Sequence, residues 1–515
     1  MKLAAFNKLV KEKFPQKVDQ KEIARALKYA TEKHIGQTRL SGKPYVTHPI
    51  AVATLLLEWD MDIDSVIAGL LHDIVEDTET SLNEIEKEFN KSVAVLVDGV
   101  TKVSKARAGR KDITTYLPAT RDNLTKLLVA TGSDVRVVII KLADRLHNLR
   151  TLEYQPHEKQ IKTARESLEI FGPLSDRLNM GRLRVEIDDI SFSYLAPKRY
   201  NKLKNEINQR VGSAKKKLDK VRAEVTAKLR EEKLEFRMDG RVKSVYSLHK
   251  KLSKYASEKG EDNIDGVYDL IALRLIVDDV ATCYLVLGLL HSMYTPLSGR
   301  IKDYIAQPKL NGYQSLHTTV ETPHGQTVEF QVRTYAMHDF AERGFAASFH
   351  YNEQKLKETY EKGNLAPLPA NLLWIRELQE AATKLRSGKK FDLSALKLDL
   401  FSDRIFVYTP RGDIFDMPNG ALPLDFAYQV HSDLAASASG FIINGKIAKF
   451  DTPLKSGDII EVITRKNILP KFDWLKKVFT PYARRKLNAQ LRRENVTAAP
   501  QTNDSKQKKS AWNRR

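Results

Sequence analysis

Val66-Ile67-Ala68-Gly69-Leu70-Leu71-His72-Asp73-Ile74-Val75-Glu76-Asp77 is the stretch that decides the fold of the first part of the chain. Val66, Ile67, Leu70, Leu71 and Ile74 carry the spacing of one apolar helix face, which recurs at Ile23, Ala26, Leu27 and Ala30. Strand alternation is scarce up to about residue 195, so an all-helical domain is expected over 1–195. The stretch also sets His72 beside Asp73, with Glu76 and Asp77 one helical turn later and expected on the same face.

Matching residue types occur twice more: His48 in Tyr45-Val46-Thr47-His48-Pro49, and Asp144 in Lys141-Leu142-Ala143-Asp144-Arg145-Leu146-His147-Asn148. Each lies on or beside a helical pattern, so the helices are free to converge on one ion. Two imidazoles and two carboxylates form a nitrogen and oxygen site without sulfur, which suits Mn2+ or a similar divalent metal better than structural zinc. Glu76 and Asp77 are candidates to position or deprotonate a metal-bound water. Arg39, Asn148 and Thr151 suit a polar, phosphate-bearing ligand. A lone His-Asp pair is more often a helix cap or a surface pair. The second His and the second Asp move the balance to a metal.

Downstream, Leu203, Ile207, Val211, Ala214, Leu218, Val221, Val225 and Leu229 step by three or four without a proline, so 196–235 is expected to be one connecting helix. After Gly240 the pattern changes. Asp269–Val277 reads as a buried strand, and Thr327–Arg333 alternates, with Val328, Phe330 and Val332 on one face. A mixed α/β domain over 236–352 is expected. Asp269 and Glu329, on neighbouring strands and ringed by cations from Arg241 to Lys251, fit Mg2+-assisted phosphoryl transfer. Tyr313 is a candidate to stack on a base and Asn311 to hydrogen-bond its edge. Residues 353–396 read as a charged helical linker. Residues 397–465 read as short strands broken by turn signals such as Pro410-Arg411-Gly412-Asp413. Residues 466–515 read as a basic helical segment with a disordered tail.

Composition narrows the setting. The chain of 515 residues carries 85 Lys and Arg against 65 Asp and Glu, a formal charge of +20. From Arg465 onward there are fifteen cations and three acids, so +12 of that charge is concentrated there, which fits contact with a polyanion, RNA foremost. Cys283 is the single cysteine, so an internal disulfide and a multi-cysteine metal finger are excluded. Apolar runs are too short or too polar for a bilayer, and the start turns charged before a signal core forms, so a cytoplasmic setting is expected.

Taken together, these motifs resemble the Rel/SpoT family of bifunctional alarmone synthetase–hydrolases over residues 20 to 464. Tyr45–Pro49, Leu71–Asp77 and Lys141–Leu152 resemble its HD-type hydrolase. Arg241–Lys251, Tyr268–Arg274, Gly299–Thr319 and Val328–Thr334 resemble its synthetase. Val407–Asp413, Leu424–Tyr428 and Leu454–Asp458 resemble its TGS domain. The resemblance implies a multidomain α and α+β chain: an all-helical hydrolase, a nucleotidyltransferase-like α/β synthetase and a small β-grasp module. It implies pyrophosphate transfer from ATP to the 3′-hydroxyl of GDP or GTP, giving (p)ppGpp, and hydrolysis of that product.

By the same resemblance, His48, His72, Asp73 and Asp144 would ligate Mn2+, with Glu76 and Asp77 assisting the water and Arg39, Asn148 and Thr151 holding the alarmone. Asp269 and Glu329 would hold Mg2+. Arg241, Lys243, Ser247 and Lys251 would face ATP, and Lys302, Lys309, Asn311, Tyr313 and His317 the guanine nucleotide. His431 is a candidate contact for uncharged tRNA on the ribosome. Longer members continue into zinc-finger-like and ACT modules, which are expected to be absent from this shorter form. The family also usually has His-Trp where this chain has Ser348-Phe349-His350-Tyr351. A hydrolase with a weakened synthetase, and a non-catalytic ribosome- or RNA-binding adaptor, are the alternatives.

Overall fold

The computed structural model describes residues 3–101, 123–259, 267, 270–309, 311–323, 325–348, 375, 378, 383, 404–455, 457–465 and 468–497. Asp269, most of the 353–396 linker, Phe349-His350-Tyr351 and the tail beyond 497 lie outside those residues. The chain divides into two compact units, Met1–Phe391 and Asp392–Arg515.

The first unit opens with helices α1 (Leu3–Lys13), α2 (Lys17–Lys33), α3 (Thr47–Glu58), α4 (Ile63–Leu71), α5 (Ile74–Asp77), α6 (Leu82–Glu88) and α7 (Lys91–Val100). It continues through α8 (Asn123–Ser133), α9 (Arg136–Arg150), α10 (His157–Glu166), α11 (Gly172–Arg177) and α12 (Gly181–Leu195). The expected helical face of the opening stretch is buried throughout α4. Asp62 caps this helix by accepting from the Ser65 amide at 3.0 Å. The buried Arg136 guanidinium holds the same carboxylate, which ties the start of α4 to the start of α9. Gly69 lets α3 and α4 approach closely: a Cβ there would lie 2.5 Å from Leu56 Cδ1.

Helix α13 (Pro197–Glu231) leads into a sheet built from β1 (Arg237–Val242), β2 (Ile271–Val277), β3 (Thr295–Pro296), β4 (Lys302–Asp303), β5 (Leu316–Thr322) and β6 (Gln326–Thr334). Helix α14 (Val245–Lys259) packs against α12 and α13, while α15 (Val280–Met293) and α16 (Tyr335–Arg343) pack against the sheet. The strand order is β1-β2-β6-β5-β3, with β4 added on β5. β2 and β6 are parallel and the other pairs antiparallel.

Strand period two then sorts the side chains. Leu273, Leu275, Val328, Phe330 and Val332 form a core with Val221, Val225 and Leu229 of α13 and with Cys283, Val286 and Leu290 of α15. The other face carries Arg241, Arg274, His317, Glu329, Gln331 and Arg333.

The second unit contains β7 (Arg404–Tyr408), β8 (Ile414–Pro418), α17 (Pro423–Val430), α18 (Ser432–Ala436), β9 (Ala438–Ile443), β10 (Lys446–Ala448), β11 (Ile460–Thr464) and α19 (Pro481–Thr497). β7 pairs with β8, while β10 and β11 flank β9. Trp474, Val478, Ala483, Leu487 and Leu491 enter the same core as Val407, Phe426 and Phe441. The basic segment after 465 is therefore packed through its apolar face as far as Leu491. Asp425 fixes that packing: its buried carboxylate accepts from the amides of Phe479 and Thr480 and from Thr480 Oγ1, at 2.8–3.0 Å, and from the Leu422 amide at 2.8 Å.

Asp425→Ala would leave these donors unpaired, at about 1–3 kcal/mol per buried group. Hydrogen exchange on the full chain should show Phe479 and Thr480 losing protection together with α19. Unchanged protection there would mean that the carboxylate does not hold the segment.

Candidate metal centre and nucleotide face

His48 lies in the first turn of α3, His72 and Asp73 lie between α4 and α5, and Asp144 lies on α9. Sequence spacing placed His72, Asp73, Glu76 and Asp77 along one helix. Instead α4 ends at Leu71 and α5 starts at Ile74. The His72 ring closes that break through Nδ1, 2.9 Å from the Gly69 carbonyl. Since only a ring N–H can pair with a carbonyl, Nδ1 carries a proton, and a cation binds the ring through Nε2 by displacing the proton held there.

His72 Nε2 is 3.2 Å from His48 Nε2, 3.2 Å from Asp73 Oδ2 and 3.8 Å from Asp144 Oδ1. His48 Nε2 is 3.4 Å from Asp73 Oδ2 and 3.2 Å from Asp144 Oδ1. His48, His72 and Asp144 each offer an atom within 4.8 Å of the others, as a metal cage requires. Electrostatics agree with a cation there. Burial lowers the basicity of His72, but the Asp73 carboxylate overrides it and lifts the ring to about 9. Burial raises Asp73 and Asp144, yet His72 and Lys141 respectively hold them well below the usual carboxylate range. The donor set fits a divalent metal.

The surrounding groups include three that sequence reasoning did not single out. Tyr45 Oη donates to Asp73 Oδ2 and Asp77 Oδ2, each at 2.7 Å, so it ties the two carboxylates together. Lys141 Nζ lies 2.8 Å from Asp144 Oδ2. His147 Nδ1 is 2.7 Å from His48 Nδ1 and 3.3 Å from Arg39 Nη1. His147 stands one helical turn after Asp144, a same-face spacing that the sequence did display. Asn148 donates to Asp144 Oδ1 at 2.6 Å and accepts from Arg39 Nη2 at 3.2 Å, which brings both proposed ligand-holding residues to the rim. Thr151 turns its hydroxyl inward, to the His147 carbonyl at 3.0 Å. Glu76 is half-buried on α5.

On the sheet, His317 Nδ1 lies 3.1 Å from Glu329 Oε1 and Tyr313 Oη lies 2.9 Å from His317 Nε2. Lys302 stands opposite His317 in the β4–β5 register. Lys309 Nζ sits 5.1 Å from the centre of the Tyr313 ring. Burial, with the charges of Lys302 and Arg241 nearby, lowers the Lys309 pKa.

Asn311 is already engaged: it donates to the Asp176 carbonyl at 3.2 Å and accepts from the Tyr313 amide at 3.2 Å. Ser247, Lys250 and Lys251 lie in the first turns of α14, which follows Arg241 and Lys243. Asp269, the proposed partner of Glu329, is outside the described residues. In the second unit His431 is exposed, and its Nδ1 accepts from the Asp433 amide at 3.2 Å, which caps α18.

Three family models match: an HD domain at residues 26–181, the region found in RelA / SpoT proteins at 240–356, and a TGS domain at 405–464. A GTP pyrophosphokinase of Streptomyces coelicolor is 40% identical over 485 residues, covering 92% of this chain and 56% of the relative. The bifunctional (p)ppGpp synthase/hydrolase SpoT of Escherichia coli is 40% identical over 489 residues, covering 95% of this chain and 67% of the relative. A solved structure described as a metazoan ortholog of SpoT is 29% identical, covering 34% of this chain and 96% of that one, with a TM-score of 0.26. This chain thus spans little more than half the length of the Streptomyces relative. No helix among the described residues is long and apolar enough to cross a membrane.

Tyr45→Phe removes the hydroxyl that joins Asp73 to Asp77. Support of this kind is worth about 10–100-fold in metal affinity. Calorimetric titration of the variant with Mn2+ should show a loss in that range, and an unchanged affinity would mean that the bridge is incidental.

Proposed function

The chain belongs to the Rel/SpoT family, and from that premise we propose that it both makes and destroys (p)ppGpp. The observation that carries the proposal is the presence of two separate charged sites: a cage of imidazoles and carboxylates among helices, and a cation-rich sheet face around Glu329.

In the hydrolase, His48, His72, Asp73 and Asp144 would hold Mn2+. A bound divalent cation supplies an acidified water and offsets phosphate charge. Glu76 and Asp77 take the proton of the attacking water, with Tyr45 fixing the Asp77 carboxylate. Arg39 and Asn148 orient the alarmone phosphates, and Thr151 shapes the rim beside them. The water oxygen bonds to the phosphorus next to the 3′-oxygen. That P–O bond breaks, the 3′-oxygen recovers a proton, and pyrophosphate leaves.

In the synthetase, Asp269 and Glu329 would hold Mg2+, and Arg241, Lys243, Ser247 and Lys251 would receive ATP. Lys302, Lys309, Asn311, Tyr313 and His317 receive GDP or GTP. The acceptor 3′-hydroxyl releases its proton to solvent as its oxygen bonds to the β-phosphorus of ATP, the bond to the α–β bridging oxygen breaks, and AMP departs. Placing the acceptor oxygen in line with that bond accounts for most of what the protein contributes. For the second unit, exposed His431 and the cations of α19 suit uncharged tRNA and ribosomal RNA, read from chemistry and family together.

Two separations test the proposal. Chelation should abolish hydrolysis and Mn2+ restore it, and Asp73→Ala should lose bound metal and hydrolysis together. Glu329→Gln should abolish synthesis from ATP and GDP while hydrolysis of ppGpp continues. Nucleotide mass spectrometry reads both directions. Full hydrolysis by metal-replete Asp73→Ala, or loss of both activities in Glu329→Gln, would overturn the assignment.

A further inference from the structure

The sheet face holds an arginine pair, one buried and one half-buried, to which the roles above give no work. Arg274 on β2 and Arg333 on β6 point to the same side as Glu329. Arg333 is 1% exposed. Its Nη2 donates to His338 Nδ1 at 2.9 Å and to Glu342 Oε1 at 3.2 Å. Arg274 Nη1 donates to that same Glu342 oxygen at 3.0 Å. One carboxylate oxygen on α16 therefore clamps two guanidinium groups.

The rest of the neighbourhood is short of negative charge. Arg237 and Arg241 stand on β1, and Asp239 between them is paired with Arg237 at 2.6 Å. Burial, then the neighbouring Arg274 charge, lowers Arg333 to about 10, and burial likewise lowers Arg274. The Nε atoms of both arginines are buried without a hydrogen-bond partner. Such an array is costly unless it serves an anion or a planar ligand.

Register places the clamp beside Arg241, the residue proposed above to receive ATP. Arg274 lies opposite Asp239, and Arg241 lies opposite Ala272, so the clamped guanidinium and Arg241 are on adjacent strands two positions apart. We propose that Glu342 is a positioning residue for donor-nucleotide binding: it fixes Arg274, with Arg333 as the buried counterpart, beside the site where Arg241 receives ATP. This rests on the reading of the sheet face as the synthetase. Arg333 is too deeply buried to reach substrate and acts through the clamp. Without Glu342 the two cations repel, and Arg274 pays the ordering cost when ATP arrives rather than beforehand.

Steady-state synthesis with full-length Glu342→Ala and Glu342→Gln tests this. KM for ATP should rise about tenfold in Glu342→Ala, equal to about 1.4 kcal/mol, with a smaller rise in Glu342→Gln, which keeps an acceptor oxygen. KM for GDP, kcat and ppGpp hydrolysis should stay within about twofold of wild type, since the lost interaction is ground-state binding of one substrate. Adding Glu342→Ala to Arg274→Ala should raise KM for ATP no further, because both changes remove the same interaction.

An unchanged KM for ATP, equal losses for ATP and GDP, or additive effects with Arg274→Ala would overturn the proposal. If Glu342→Ala fails to fold, Glu342→Gln decides by the same criteria. Absence of synthesis in the wild-type protein would instead refute the underlying reading of the sheet.

Discussion

Helix α13 puts Leu203 and Ile207 into a core with Phe192, Val245, Leu248 and Leu252, and puts Val221, Val225 and Leu229 into the core beneath the sheet. One apolar stripe thereby belongs to two packed regions, and neither can form in full without the helix. Complete burial of each such side chain contributes about 1.5–3 kcal/mol, so the connector is held at both ends by its own hydrophobic groups. This helix has 35 residues and rises about 1.5 Å per residue, so one rigid rod reaches from one core to the other. Gly212 and Ser213 sit between the two cores, at exposed positions where backbone hydrogen bonds have least support.

Polar contacts add a second connection between the helical half and the sheet. Asp189 on α12 accepts from the Val245 and Tyr246 amides at 3.3 and 2.9 Å, and so caps the helix that carries Ser247 and Lys251. The turn after α11 reaches the other side: Asn179 donates to the Phe340 carbonyl, and the Phe345 amide donates to that of Leu178. Gly344, at φ +61°, has no room for a side chain, since a Cβ would lie 2.1 Å from the Leu178 carbonyl. Arg343 meets Asp60, which also holds Lys13 of α1 at 2.5 Å. Asn311 joins this set through the Asp176 carbonyl. A shift of the 176–180 turn therefore carries the proposed acceptor segment with it.

Periodicity made much of this legible. The helical face through Leu71, the α13 stripe and the alternation around Phe330 each depend on local backbone repeat, which sequence displays directly. Residue chemistry made His48, His72, Asp73 and Asp144 candidates for one site. Their convergence, the break at His72 and the bridge from Tyr45 arise from how α3, α4 and α9 pack, and spacing alone does not encode that. His147 was within reach, one turn from Asp144, but it stands out only once His48 is known to lie beside it. The Arg274–Glu342–Arg333 clamp was hidden for another reason. Glu342 belongs to a helix whose face toward the sheet is set by the loop geometry at Thr334 and Gly344, not by its own sequence.

The two sites solve opposite electrostatic problems with the same kind of ligand. Around His72, carboxylates are held ionised and an imidazole takes up a proton, so the cage has a deficit of positive charge that a metal cation meets. Around Glu329, lysines and arginines are buried near one another with lowered pKa, so the face has a deficit of negative charge that a polyphosphate meets. The 176–180 turn and α13 make contacts in both the helical half and the sheet half of the first unit. These shared contacts are the route by which occupancy of one proposed site would reach the other.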